Sequence, residues 1–237
     1  DFKYKVKKKI VPFILRRNKK DVLKDLPSKY EMILSCEMNS EQRKIYDAHI
    51  LEAKNILAMT GKAFDVLHLL TRLRQICIEP SLFIEEYQGG SGKIDELNSL
   101  IEEKLAEGHR ILIFSQFVKA LEIVEDHLNK ADIQYVKITG KTKGEERVVI
   151  CDNFNHDKSY KIALISLKAG GTGLNLVGAD TVIHLDPWWN IAVQDQATDR
   201  AHRIGQEKNV EVIKLISENS VEQRVVELQN RKKELIA

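Results

Sequence analysis

Hydrophobic positions change their rhythm along the chain near residue 90. In "SEQRKIYDAHILEAKNILA" (40–58) and "FDVLHLLTRLRQICI" (64–78) apolar residues recur at steps of three and four, so the first 90 residues read as helical, with Ser40 as the first helix's N-cap. "YQGGSGK" (87–93) then breaks the pattern with three glycines. Beyond it, short apolar runs alternate with amphipathic stretches. A helix from Lys93 is followed by "RILIFS", a helix from Val118, "YVKI", a helix near Gly144, "KIALIS", "TVIHLD", a helix from Ile191 and "VEVIKLI". Strands that are apolar on both faces and separated by helices predict an α/β fold, a parallel sheet with helices on both faces. The last stretch, "SVEQRVVELQNRKKELIA", predicts one more helix, opened by a Ser220 cap.

Composition narrows the function classes. At 237 residues and 43% hydrophobic, the chain can bury a substantial core, in one large domain or two small ones. No apolar run approaches the ~18 residues that a membrane span needs, and no apolar segment of a signal peptide follows the charges of "DFKYKVKKK". The expectation is an intracellular protein without a membrane partner. Cys36, Cys77 and Cys151 lie far apart with no His at ligand spacing, which predicts buried free thiols and neither a disulfide framework nor a metal site. The net charge of +2 conceals an asymmetry: residues 1–30 hold eleven Lys or Arg against three Asp, while the rest of the chain is net negative. The basic head is either a solvated linker or a surface that meets nucleic-acid phosphates.

An α/β sheet carries its chemistry in loops at the carboxyl ends of its strands. The most glycine-rich of these is "LKAGGTGLNLVGAD" after "KIALIS", where Gly170, Gly171 and Gly173 open the backbone to an anion beside Lys168 and Thr172. The bland alternative is a tight turn. A dinucleotide fingerprint fails because Leu176 stands where its third glycine belongs. Two places imitate a nucleotide-binding P-loop and fail too. "YQGGSGKI" has Tyr87 at the first-glycine position and Ile94 in place of the hydroxyl, and "YVKITGKT" has Tyr135 at that first position. Asp186 echoes a magnesium-binding acid after an apolar strand, yet Pro187, Trp188 and Trp189 follow it.

"QDQATDRAHRIGQ" (194–206) then poses a problem. Read as a helix, it puts Gln196, Arg200 and Arg203 on one face, a forked cationic surface suited to a phosphate, although no complete triphosphate site accompanies it. The alternative is a surface pair between Arg203 and Asp199.

Blocks spread over nearly the whole chain carry a resemblance that resolves the problem. "PFILRRNKKDV", "DLPSKYE", "LRQICIEPSLF", "SGKIDEL", "GHRILIFSQF", "GKTKGEERVVICDNFN", "SLKAGGTGLNLVGADTVIHLDPWWN" and "QATDRAHRIGQ" resemble, in order, the second, carboxyl-terminal lobe of the Swi/Snf family of ATP-dependent DNA translocases. Ile191 departs from the pattern, in which Pro usually follows "DPWWN"; a first-turn Pro helps a helix start without being obligatory.

The resemblance implies a RecA-like lobe over residues 91–216, preceded by a basic linker and helical protrusion (1–90) and followed by a brace helix (217–237). It implies ATP with Mg²⁺ held mainly by a first RecA-like lobe of the same full-length protein, so that this chain alone is inactive in hydrolysis. Arg200 and Arg203, helped by Gln196, match the residues that reach across to the γ-phosphate, while Gly171, Gly173 and Asn175 lie toward the nucleotide. Lys168, Ala169, Gly170 and Thr172, with Ser115, Gln116, Phe117, Thr142 and Lys143, match loops that track the backbone of double-stranded DNA without reading bases. Trp188 and Trp189 are either core aromatics or neighbours of DNA. His184 and His202 are expected to be structural. DNA-bound proteins are the implied objects of remodelling, in the nucleoid or cytoplasm of a prokaryote or the nucleus of a eukaryote. The competing readings are an ATP-independent nucleic-acid-binding module and a small complete NTPase built on Lys141.

Overall fold

The computed structural model describes residues 26–62, 67–170 and 173–234. The basic head to residue 25, together with Gly171 and Thr172, lies outside the described residues.

Six strands form one sheet, all of whose pairings are parallel: β1 (Lys29–Cys36), β2 (Ile111–Ser115), β3 (Tyr135–Ile138), β4 (Ile162–Ser166), β5 (Thr181–His184) and β6 (Val210–Ser217), in the spatial order β1-β6-β5-β2-β4-β3. The fold is α/β, a parallel sheet between helices, as the alternating texture beyond residue 90 predicts. Period-two alternation divides each inner strand between two cores. Ile111 and Ile113 of β2 pack with α3 (Gly92–Ala106) and α4 (Val118–Lys130) on one face. Leu112 and Phe114 pack on the other face with α5 (Gly144–His156) and α7 (Ile191–Thr198). A third cluster joins α1 (Ser40–Thr60) and α2 (Leu67–Ile78) to the start of α8 (Val221–Glu234) through Tyr46, Leu73, Ile76 and Val221.

Two expectations are corrected. The helical reading of the first 90 residues fails at Lys29–Cys36, which is an edge strand paired in register with β6 from Lys29↔Val210 to Cys36↔Ser217. Its exposed Tyr30, Met32 and Ile33 hide the alternation that marks a half-buried strand. The cap of α1 is Asn39 rather than Ser40: its side chain accepts the Gln42 N–H at 2.8 Å and donates to Gly89 O and Gly90 O. The expected cap at Ser220 holds, and Asn190 adds one that the sequence did not announce. Ser220 Oγ accepts the Glu222 N–H, and Asn190 caps α7 so that this helix starts at Ile191 without the proline.

The "GGSGK" break is a junction. A Cβ on Gly92 would stand 1.9 Å from the carbonyl oxygen of Glu37, so only glycine lets α3 begin there. Lys93 beside it is fully buried: Nζ donates to Leu185 O and Leu215 O, both at 3.2 Å, and pairs with the Glu222 carboxylate of α8. The lysine that imitates a P-loop is a strut between α3, the sheet and α8.

Removing one partner of such a pair strands the other charge in the core. Lys93→Met should lower unfolding stability by about 3–5 kcal/mol in chemical denaturation, and Lys93→Met combined with Glu222→Leu should recover most of the loss.

Candidate functional site

Because the neighbouring strands run in order β5-β2-β4-β3 and point the same way, their carboxyl ends bring four loops side by side. These hold residues 185–190, 116–117, 167–180 and 139–143. Most of the residues singled out in the sequence stand here, joined by the turn that follows α7.

At the end of β5, Asp186 is fully buried. It accepts Ser115 Oγ at 2.6 Å, the Gln116 N–H at 3.2 Å and the Gln116 side-chain amide, and Arg74 of α2 lies 3.5 Å away. Burial raises the Asp186 pKa, and the first influence opposing it is Arg74. Ser115 is buried with its hydroxyl committed to Asp186, while Gln116 and Phe117 are half-buried. Trp188 is partly buried against the core under α7, and Trp189 is 45% exposed. The core reading thus fits Trp188, while Trp189 stands open to solvent.

After β4 the chain forms one helical turn, α6 (Leu167–Gly170), before the glycine-rich segment. Lys168 is exposed; Ala169 and Gly170 are buried, and a Cβ on Gly170 would stand 3.3 Å from the Phe114 ring. Gly173 has φ of +32°. Together with Asn175 and the α5 residues Arg147, Val148 and Cys151, it lines a groove of about 430 Å³. After β3, Thr142 Oγ1 accepts the Thr139 N–H at 3.0 Å in a tight turn. Lys143 is exposed at the start of α5, whose first turn also carries Glu145 and Glu146. That turn leaves no phosphate-cradling loop around Lys141.

The arginine segment is the third correction. Gln196, Arg200 and Arg203 do not share a helical face, because α7 ends at Thr198 and the chain turns on three-residue hydrogen bonds, Arg200 N–H to Ala197 O and Ala201 N–H to Thr198 O, toward Gly205 at φ +98°. Gln206 Nε2 ties the turn to Val177 O and Ala179 O. Gln196 stays on the exposed side of α7, whereas Arg200 is buried. Arg200 Nε donates to Gly170 O at 2.9 Å and Arg203 Nη1 to Leu174 O at 3.4 Å, so both guanidiniums hold carbonyls of the glycine-rich segment. Burial lowers the Arg200 pKa, and the neighbouring positive charge of Arg203 lowers it further.

Comparison with known proteins agrees with this architecture. Residues 92–205 match the Helicase conserved C-terminal domain, and residues 3–82 match the SNF2-related domain. The Sulfolobus solfataricus SWI2/SNF2 ATPase C-terminal domain is 31% identical, with a TM-score of 0.74, over 87% of either chain. The chain belongs to the SWI2/SNF2 family. It is the C-terminal RecA-like lobe of that family. The SWI2/SNF2 ATPase core from the same organism, solved in complex with dsDNA, is 35% identical, with a TM-score of 0.77, over 98% of this chain and 51% of that one. An uncharacterised ATP-dependent helicase of Mycoplasma genitalium is 39% identical over 98% of this chain, which spans 23% of that relative's length.

Within this SWI2/SNF2 lobe, the sequence reading missed Arg74 and the burial of Asp186. The available signals were an arginine inside the apolar run "LLTRLRQICI" and an acid at the end of a strand that is apolar on both faces. His184 and His202 are both engaged within the fold. His184 is buried, stacked on Phe114 with ring centres 5.5 Å apart, with Nε2 2.9 Å from Thr198 Oγ1, and His202 Nε2 lies 2.8 Å from Pro27 O. All three cysteines are buried and free. Among the described residues no group of three His, Cys, Asp or Glu could hold a metal, and no helix is long and apolar enough to cross a membrane.

Burial lowers the His184 pKa from 6.5 to about 3, so the native state refuses a proton that the unfolded chain accepts. Its contribution is whole above pH 6.5 and is lost as the pH falls toward 3. Between pH 6.5 and 5 the wild type should lose stability with a His184 slope of up to about 1.4 kcal/mol per pH unit. Urea unfolding of His184→Gln across that window should show the slope removed.

Proposed function

We propose that this chain is the second motor lobe of an ATP-dependent double-stranded DNA translocase, which supplies Arg200 and Arg203 to ATP·Mg²⁺ held mainly by a first RecA-like lobe of the same protein. The observation that carries this reading is the seating of both guanidiniums on the glycine-rich segment, Arg200 on Gly170 O and Arg203 on Leu174 O. Two like charges held this close suit a polyanion: an incoming triphosphate offsets both the desolvation of Arg200 and its repulsion by Arg203. The described residues fit the phosphate end of the nucleotide, and in this reading the metal ligands belong to the first lobe. Bound there, ATP supplies the phosphoryl group whose transfer to water drives the motor.

In that transfer, Arg203, the less buried of the pair, meets charge developing on the γ-phosphoryl oxygens. Arg200 holds the glycine-rich segment and adds its own charge, while Gln196 lies apart from them on the exposed side of α7. On the same segment Gly173 and Asn175 lie toward the nucleotide, while Lys168, with Thr142, Lys143, Gln116, Phe117 and Trp189, grips the DNA backbone. One segment therefore touches both the nucleotide-side arginines and the DNA-side loop. Closure of the two lobes on ATP and their release after hydrolysis shift the grip along the duplex. The helices α1 and α2 form the protrusion and α8 the brace. The structure of a related core with dsDNA supports the DNA assignment.

In the intact protein, Arg203→Ala should reduce DNA-stimulated ATP turnover by about 10³-fold while leaving duplex binding in gel shift intact, and Arg203→Lys should rescue little, because a point charge lacks the planar fork. Turnover that survives Arg203→Ala would sink the finger assignment.

A further inference from the structure

Arg74 reaches the carboxyl edge of the sheet from α2, a helix outside it, and is 4% exposed. Its Nη1 donates to Gln116 Oε1 at 2.9 Å; its Nη2 donates to Pro187 O and lies 3.5 Å from Asp186 Oδ2. Its guanidinium carbon stands 5.5 Å from the centre of the Trp189 ring and 5.9 Å from that of Phe117. One side chain thus links the loop after β2 to the loop after β5. A guanidinium can do this because its donors form a rigid fork while its face is free to stack on aromatic rings.

The consequence for Gln116 is directional. Its carboxamide oxygen is turned to Arg74 and its nitrogen to Asp186 Oδ2. With the oxygen occupied, what remains for an incoming group is the second N–H, a donor that suits a phosphate oxygen. Without Arg74 the amide can flip and offer its oxygen instead, which repels a phosphate. Trp189, half-exposed beside the same guanidinium, loses its stacking partner at the same time.

We propose that Arg74 is a positioning residue for DNA: it orients the Gln116 amide and the Trp189 ring, and so couples the position of α2 to the grip of the two loops. The inference rests on the reading of residues 115–117 and 188–189 as DNA-facing. Arg74 itself is too buried to touch a phosphate, so its effect passes through those two side chains.

The test is ATP turnover of the full-length protein titrated with plain duplex DNA, comparing wild type, Arg74→Lys, Gln116→Met and the double variant, with thermal melting of each. Arg74→Lys keeps the charge opposite Asp186 and loses the fork. It should raise the half-saturating DNA concentration about tenfold, the size of one lost charge-assisted hydrogen bond. Maximal turnover at saturating DNA should change much less. Gln116→Met should weaken DNA binding to a similar degree, and adding Arg74→Lys to it should cost less than about a further twofold, since the larger share of the Arg74 effect, through the Gln116 amide, is then already lost. A half-saturation unchanged by Arg74→Lys overturns the inference, as do full additivity or a loss confined to maximal turnover and melting temperature. A wild-type protein that DNA does not stimulate, or a Gln116→Met that leaves half-saturation unchanged, overturns the DNA-facing reading itself and the inference with it.

Discussion

Asp186 has no access to water, so its carboxylate must be satisfied by protein groups, and those groups come from separate stretches of the chain. Ser115 and Gln116 reach it from the loop after β2, and Arg74 reaches it from α2. A buried charge left without partners is among the most destabilising features a fold can carry, so this one residue obliges three elements to meet at the carboxyl edge of the sheet. The loops proposed to grip DNA are held by that obligation rather than by packing alone.

A second buried charge performs the same service one layer away. Lys93 and Glu222 join α3 to α8, and Lys93 also ties the ends of β5 and β6 through Leu185 O and Leu215 O. Asp186 follows Leu185 directly, so the two polar clusters brace adjacent residues of one strand end. Burial raises the pKa of Glu222 and of Asp186 alike, and the cation each faces opposes that shift without cancelling it. In the proposed motor this matters because Arg74 of α2 and Glu222 of α8 are both tied to the carboxyl edge of the sheet, and movement of either helix is felt there.

The arginine turn depends on a different constraint. Here the chain leaves a helix after Thr198, and Gln206 replaces helical hydrogen bonds with side-chain bonds to Val177 O and Ala179 O. The exchange swings Arg200 inward to Gly170 O and leaves Arg203 at Leu174 O, a placement that a continued helix could not give to residues three apart. The cationic, forked character of the pair is a property of its chemistry and survives the change of backbone; the shared helical face does not.

What the sequence determined by itself is the part of the protein that depends on near neighbours. The strands β2 to β6, the helices between them, the cap at Ser220, and the residue types gathered in the glycine-rich and arginine segments are all written in local periodicity and composition. What only the tertiary structure decided depends on partners far away in the chain. Lys29–Cys36 is a strand because β6 offers it a ladder, Lys93 is a strut because Glu222 faces it, and Arg74 spans two loops because α2 packs where it does. Local pattern records which face of an element is apolar; it does not record which distant backbone or charge that face will meet.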